Sequence, residues 1–316
     1  NAGKGFVGNS SITNGLYSSR TWALPHLVSY MESHDEQRLM YEAITFGNAS
    51  NPAHNAKDPY TALGRMQGLA VTFLSQPGPR MIWQFGEYGY DISIDVPCRT
   101  CNKPILWNYL QQGRRKQLLD VYSAMLSLRN NYETFRSLDF QASLGAGIKR
   151  MIMNHPSMNG VSLVNVDVYA ANAIPSFQHT GWWYEYFTGD SINVSNVNAS
   201  MNLQPGEYRV YTDQRLPKPY ITSVASVTEL ENPSFEFNVF PVPFEESLTF
   251  SYHSNDFQPL QIQLFNEQGV LVFEKQGMAH SGENTESIHD FNITSGTYLV
   301  VLRLGKSFAC KTILKQ

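Results

Sequence analysis

Cysteine is scarce in this chain, with Cys98, Cys101 and Cys310 among 316 residues. Three cysteines cannot staple a small secreted scaffold, and no second Cys/His pair completes a zinc site beside Cys98-Arg99-Thr100-Cys101. That spacing also suits a redox pair, yet it lies in an expected loop rather than at a helix start after a strand. A local disulfide is the favoured reading, with two free thiols and then a metal as alternatives. Cys310, in an expected terminal strand, reads as a buried small apolar residue. Charge is sparse too, at 16%, with a net value of −4. Without a basic surplus, the composition argues against a nucleic-acid partner. No apolar run approaches the length of a transmembrane helix. Neither an initial Met nor the basic and apolar regions of a secretory leader stand at the front, so truncation or processing before Asn1 is expected. Residues 1–19 are rich in Gly, Ser and Asn and read as loop.

Aromatics are abundant, at 13% of the chain. They suit sugar faces and the cores of β-sandwiches equally well. The most informative stretch is His26-Leu27-Val28-Ser29-Tyr30-Met31-Glu32-Ser33-His34-Asp35. Its apolar part reads as a buried strand of the parallel kind, broken at once by four polar residues. In a (β/α)-barrel, polar residues at a strand's carboxyl end face the active-site mouth. There, His34 can bond sugar hydroxyls, and an ionised Asp35 can stabilise an oxocarbenium-like transition state. A solvated strand-end loop is the competing reading of the same residues.

Residues 39–46 can continue as a short helix, and 47–60 read as an Asn/Pro/Ala-rich loop. Residues 61–76 carry Leu63, Met66, Leu69, Ala70, Phe73 and Leu74 at helical spacing, stopped by Pro77-Gly78-Pro79. Residues 80–85 follow as an expected buried strand, which completes a right-handed βαβ unit. Residues 113–130 form the next expected helix, with Leu118, Leu119, Tyr122, Met125, Leu126 and Leu128 as its apolar stripe. Its basic start and Arg129 read as solvated faces.

From about residue 138 the period shortens to that of strands. Segments 140–144, 147–154, 161–168, 182–187 and 207–212 predict an all-β domain, a sandwich by pattern. Gly181-Trp182-Trp183-Tyr184-Glu185-Tyr186 suits a sugar-stacking platform, although core and edge aromatics account for such runs more often. Residues 217–233 read as a linker. A second β run follows at 237–240, 248–252, 260–265, 269–274, 298–304 and 308–314, immunoglobulin-like by strand count.

Three motifs, Tyr30-Met31-Glu32-Ser33-His34-Asp35, Pro77-Gly78-Pro79-Arg80-Met81-Ile82-Trp83-Gln84-Phe85-Gly86-Glu87 and Lys103-Pro104-Ile105-Leu106-Trp107, together resemble the alpha-amylase family, glycoside hydrolase family 13, and its secreted Bacteroidetes members. Ser33 stands where that family carries Asn. Trp183-Tyr184-Glu185-Tyr186-Phe187-Thr188-Gly189 and Leu203-Gln204-Pro205-Gly206-Glu207-Tyr208 resemble the family's β domain behind the barrel. Val239-Phe240-Pro241-Val242-Pro243-Phe244, Gln268-Gly269, Ser295-Gly296-Thr297-Tyr298 and Lys311-Thr312-Ile313-Leu314-Lys315 resemble the C-terminal sorting domain of type IX secretion cargo, with Val242 in place of that family's Asn.

These resemblances imply a multidomain fold. Residues 1–135 would be the last two βα units of a (β/α)8 barrel, 136–216 an all-β sandwich, 217–236 a linker and 237–316 a sorting domain of immunoglobulin-like type. They imply Asp35 as transition-state stabiliser, His34 as a sugar-binding residue, and Glu87 as structural. The nucleophile and general acid would lie upstream of residue 1. The implied partners are an alpha-1,4-glucan and the type IX secretion machinery, and the implied location is secreted or cell-surface. No cofactor is implied in this chain, while calcium is expected in a longer parent. Two other readings compete: a non-catalytic carbohydrate-binding or adhesion protein, and a structural carrier with a sorting tail.

Overall fold

The apolar run before Glu32 forms a strand of only two residues, β1 (Ser29–Tyr30). It pairs in parallel with β2 (Arg80–Met81), Ser29 opposite Arg80 and Tyr30 opposite Met81. In this computed structural model the described residues are 1–223, 235, 237–266, 270–289, 293–305 and 307–316. They form a mostly β molecule with few helices and several sheets, divided into two units, Asn1–Val224 and Ala225–Gln316.

Between β1 and β2 lie α1 (Leu39–Phe46) and α2 (Pro59–Leu74). Asp58 caps α2 by accepting the Thr61 N–H at 2.8 Å, and Pro59 occupies the first turn, where its missing N–H leaves no gap. The helix packs closely on the sheet below it. A Cβ on Gly68 would stand 2.8 Å from Val164 Cγ1, so that position admits no larger residue without movement.

After α3 (Gly113–Asn131) come β3 (Phe140–Ser143), β4 (Ile148–Met153), β5 (Gly160–Asn165), β6 (Ala171–Ala173), β7 (Gly181–Glu185), β8 (Ser191–Val194), β9 (Met201–Leu203) and β10 (Tyr208–Thr212). Six of them form an antiparallel sheet in the order β3-β4-β5-β10-β7-β8, and β6 pairs with β9 as a separate ribbon. One face of the sheet shares a core with both helices, joining Met151, Val164 and Val210 to Ala70, Leu74, Leu118 and Met125. The other face, with Ile152, Val161, Leu163 and Trp183, is covered by Ala173 and Leu203 of the ribbon. Cover on both faces explains why every residue of β5 is buried and why its sequence runs apolar without alternation.

Two sequence expectations are corrected in the first unit. The first concerns residues 27–31 and 80–85, which are not buried strands: Val28 is 54% and Tyr30 47% exposed, and pairing spans two residues in each. With a single neighbouring strand apiece, Val28 and Tyr30 remain in solvent, whereas Met31 and Ile82 pack against the main core and Phe85 is buried.

The second concerns α3, whose basic residues do not all face solvent. Arg115 is buried in an ion pair with Asp91 at 2.6 Å, and Arg129 donates to the carbonyls of Leu74, Gln76 and Gly78. Arg129 thereby satisfies acceptors that the end of α2 leaves open. Residues 1–19 hold neither strand nor α-helix, as expected of a loop, and buried cations tie them to the rest of the unit. Arg65 donates to the carbonyls of Ala2 and Gly3 as well as Val166 and Asp167, and Lys149 donates to Ser10, Leu144 and Ala146. Burial lowers the Arg65 guanidinium to about 10 and the Lys149 ammonium to about 8.

Of the Trp182-Trp183 pair, Trp183 is a core residue against Phe177 at 4.6 Å between ring centroids, while Trp182 is exposed. The start of the expected linker lies on α3, where Asp120 accepts the Thr222 N–H and hydroxyl. Residues 224–234 and 236 lie outside the described residues.

The second unit contains β11 (Phe237–Phe240), β12 (Ser247–Ser254), β13 (Gln258–Phe265), β14 (Leu271–Ala279), β15 (Gly282–His289), β16 (Gly296–Leu304) and β17 (Ser307–Lys315). The sheets β11-β12-β15 and β14-β13-β16-β17 bury alternate residues in one core, Leu248, Phe250 and Tyr252 against Leu260, Ile262, Leu264, Val300 and Leu302. β15 was not foreseen, because its run Gly282-Glu283-Asn284-Thr285-Glu286-Ser287 is almost wholly polar. Of the expected turn at 266–269, residues 267–269 lie outside the described residues. Cys310 is half-buried rather than buried, since β17 is an edge strand of its sheet. Burial nonetheless raises its thiol.

Candidate functional site

Because β1 and β2 run parallel, the residues that leave their carboxyl ends emerge side by side. Ser33, His34 and Asp35 follow β1, and Trp83 and Gln84 follow β2. Together with Arg38, Tyr90, Ile92, Ile94 and residues 99–103 they line a cleft of about 420 Å³. His34 Nε2 lies 3.2 Å from Asp35 Oδ2, and their side chains are 69% and 75% exposed. The His34 ring is tilted 47° to the Trp83 ring at 5.6 Å between centroids. The two residues singled out from sequence are thus brought together at the cleft mouth, beside an aromatic face.

The turn carrying them is built locally. Ser33 Oγ accepts the Asp35 N–H at 3.2 Å and donates to the Glu36 carboxylate. A hydroxyl therefore closes this turn, as Ser side chains do within two residues of their own backbone. Glu32 lies beneath it, buried, and its Oε2 accepts the Leu39 N–H at 2.8 Å at the start of α1. Its Oε1 stands 3.5 Å from Arg38 Nη2, and Arg38 lies over the Tyr90 ring at 4.5 Å while donating to the Gln84 carbonyl. Burial raises the Glu32 carboxyl and lowers Arg38, and each charge partly restores the other. A Cβ on Gly86 would meet Glu32 Oε1 at 2.6 Å, so a larger residue there would displace the Glu32 carboxylate. Glu87 is also raised, chiefly by burial.

Farther along, Asp91 joins Arg115 and Tyr109. Arg115 lies 3.7 Å from the centre of the Tyr109 ring, and the Tyr109 hydroxyl donates to Asp91. Burial, followed by that bond, raises the Tyr109 hydroxyl above its ordinary range. The cluster fixes the base of the loop beyond β2.

Residues that sequence reasoning missed include Trp83, Arg38, Arg99, Asn102 and Lys103, all of which line the cleft. Trp83 carried a readable signal, since it follows β2 as the His34 motif follows β1. The loop residues carried none, because they reach the cleft through a closed loop rather than a strand end. Cys98 and Cys101 are disulfide-bonded in that loop. Among the described residues no three His, Cys, Asp or Glu side chains converge to hold a metal ion. No helix among the described residues is long and apolar enough to cross a membrane.

Residues 238–316 match the secretion system C-terminal sorting domain. The tail is a type IX sorting domain, which makes this a secreted or cell-surface protein. Similar solved structures are alpha-amylase family enzymes. The amylase AmyP in complex with maltose is 14% identical over 67% of this chain and 47% of its own, with a TM-score of 0.50. An alpha-amylase from Geobacillus thermoleovorans complexed with acarbose is 15% identical over 59% of this chain and 38% of its own, at 0.45. A gamma-CGTase from alkalophilic Bacillus clarkii is 13% identical over 96% of this chain and 41% of its own, also at 0.45. The chain thus spans less than half the length of these enzymes. At such identities the likeness to AmyP concerns fold alone. No curated protein sequence matches the chain.

Proposed function

We propose that this chain is the C-terminal part of a secreted glycoside hydrolase of alpha-amylase type, acting on alpha-1,4-glucans with retention. In this reading residues 1–135 close a (β/α)8 barrel, 136–216 form the β domain behind it, 217–236 join it to the tail, and 237–316 deliver the protein to the type IX machinery. The observation that supports it best is the parallel pairing of β1 with β2 across α1 and α2, whose carboxyl ends open on one cleft holding His34, Asp35 and Trp83. Barrel enzymes place their chemistry at that end of their strands. Asp35 would face the developing positive charge at the anomeric carbon, and His34 would hold a sugar hydroxyl. The exposed Trp22, Leu24, Val28, Tyr30, Ile105 and Trp107 suit burial under further barrel units.

One observation favours a second reading, a cell-surface glucan-binding protein without catalysis. Among the described residues lining the cleft, Asp35 is the one carboxylate. Retaining hydrolysis needs two, about 5–5.5 Å apart. Hence the 316-residue chain by itself should release no reducing ends from starch, whereas a longer parent with two further strand-end carboxylates should. A parent that binds starch and never cleaves it would select the second reading, and cleavage by the chain alone would refute the division of labour proposed here.

A further inference from the structure

We propose that the loop closed by Cys98 and Cys101 is a specificity wall of the cleft, held upright against the Asp35 turn by the disulfide, Arg99 and Gln37. This rests on the glucan reading of the cleft and adds residues to it. The loop and the turn are joined at three points. Arg99 Nη2 donates to the Asp35 carbonyl at 2.5 Å, Gln37 Nε2 donates to Ser93 Oγ at 2.9 Å, and Gln37 Oε1 accepts the Ile94 N–H at 2.7 Å. Arg99 also faces Asp95 at 3.6 Å within its own loop.

The loop is internally braced as well. The Lys103 ammonium donates to the carbonyls of Ile94 and Cys98, so its charge is spent on the loop rather than offered to a ligand. Thr100 and Asn102 of the loop line the same cleft as Trp83, and Arg99 lines it while bonded to the Asp35 carbonyl. Donors and acceptors facing one aromatic ring are the requirement for gripping a sugar edge while its C–H face stacks. Without the disulfide, Arg99 would reach Asp35 from an exposed segment held by the Lys103 contacts and the Asp95 pair, and so fixed less firmly. The disulfide is therefore a positioning device for Arg99, and Arg99 is a positioning residue for Asp35.

Two measurements test this. Hydrogen exchange on the full chain is compared between wild type, Cys98→Ser/Cys101→Ser, Arg99→Ala and Arg99→Lys. Exchange at residues 33–39 and 92–103 should quicken about tenfold or more in the double variant and in Arg99→Ala, as expected when local opening is eased. It should stay unchanged in α2 and α3, and Arg99→Lys should recover part of the protection. In the longer parent, the same two variants should raise KM for maltoheptaose by about tenfold, the size of one or two lost polar contacts. Unchanged exchange at 33–39, or unchanged KM in an active parent, overturns the proposal. A parent inert toward maltoheptaose, with the exchange coupling intact, overturns the glucan reading and leaves the joined wall standing.

Discussion

Two of the sheets in the first unit, the six-stranded sheet and the β1–β2 pair, solve the same problem unequally. The six-stranded sheet is covered by α2 and α3 on one face and by the β6–β9 ribbon on the other. The β1–β2 pair has two residues per strand and leaves Val28 and Tyr30 in solvent. Both segments are apolar in sequence, so hydrophobicity does not separate them. What differs is the supply of neighbours. An antiparallel strand finds its partner across a short turn, whereas a parallel strand needs long crossovers and cover on both sides. The well-covered sheet stores stability, and the thinly covered pair carries the cleft.

Substitutions can break this contrast, beginning with the largest. Arg65→Met should destabilise the chain by about 3 kcal/mol or more in denaturant unfolding, because the carbonyls of Ala2, Gly3, Val166 and Asp167 lose a buried charged donor. A loss below about 0.5 kcal/mol would mean that water replaces the guanidinium freely. Gly68→Ala should cost about 1–3 kcal/mol through the contact with Val164 Cγ1, and the double variant with Val164→Ala should recover part of it. Simple additivity of the two would place the strain elsewhere.

Lys149→Met should cost about 1–3 kcal/mol near neutral pH, since Ser10, Leu144 and Ala146 lose a donor. The pH dependence has a definite sign. The folded value of about 8 lies below the ordinary 10.5, so between them the unfolded chain binds more protons. Burial of the ammonium thus weighs against folding below pH 8, and its contribution becomes more favourable as pH rises from about 8 to about 10.5. Unfolding free energies across that interval, wild type minus Lys149→Met, should rise; a flat or falling difference would contradict the burial. At the other extreme, Val28→Ser should change stability by no more than about 0.5 kcal/mol. A large loss there would show that the exposed face is packed in solution.

This contrast also explains what was legible in the sequence. Helices α1, α2 and α3 were readable within two residues at their ends, since their spacing and stop signals are local. His34 and Asp35 were readable because polar residues interrupted an apolar run. The short extent of β1 and β2 was not, as strand length depends on neighbours that the segment itself does not encode. Arg65 and Lys149 were unreadable as buried groups, because their burial is decided by carbonyls a hundred or more residues away, as Val166 is from Arg65 and Ser10 from Lys149. The loop at 92–103 could be read as closed by Cys98 and Cys101, but nothing local said that it leans on Asp35.

The central claim is that Asp35 serves chemistry at a cleft made by strand ends. Its most direct test is the turnover of Asp35→Asn in the longer enzyme proposed above, measured on starch alongside thermal unfolding. The substitution keeps shape and removes the charge that, in the proposed mechanism, would face the oxocarbenium-like carbon. Asp35 is largely exposed, so unfolding should stay nearly unchanged. Turnover should fall by roughly 10²–10³, as when a well-placed electrostatic stabiliser is removed. Turnover near that of the wild type, with the fold intact, would contradict the role assigned to Asp35.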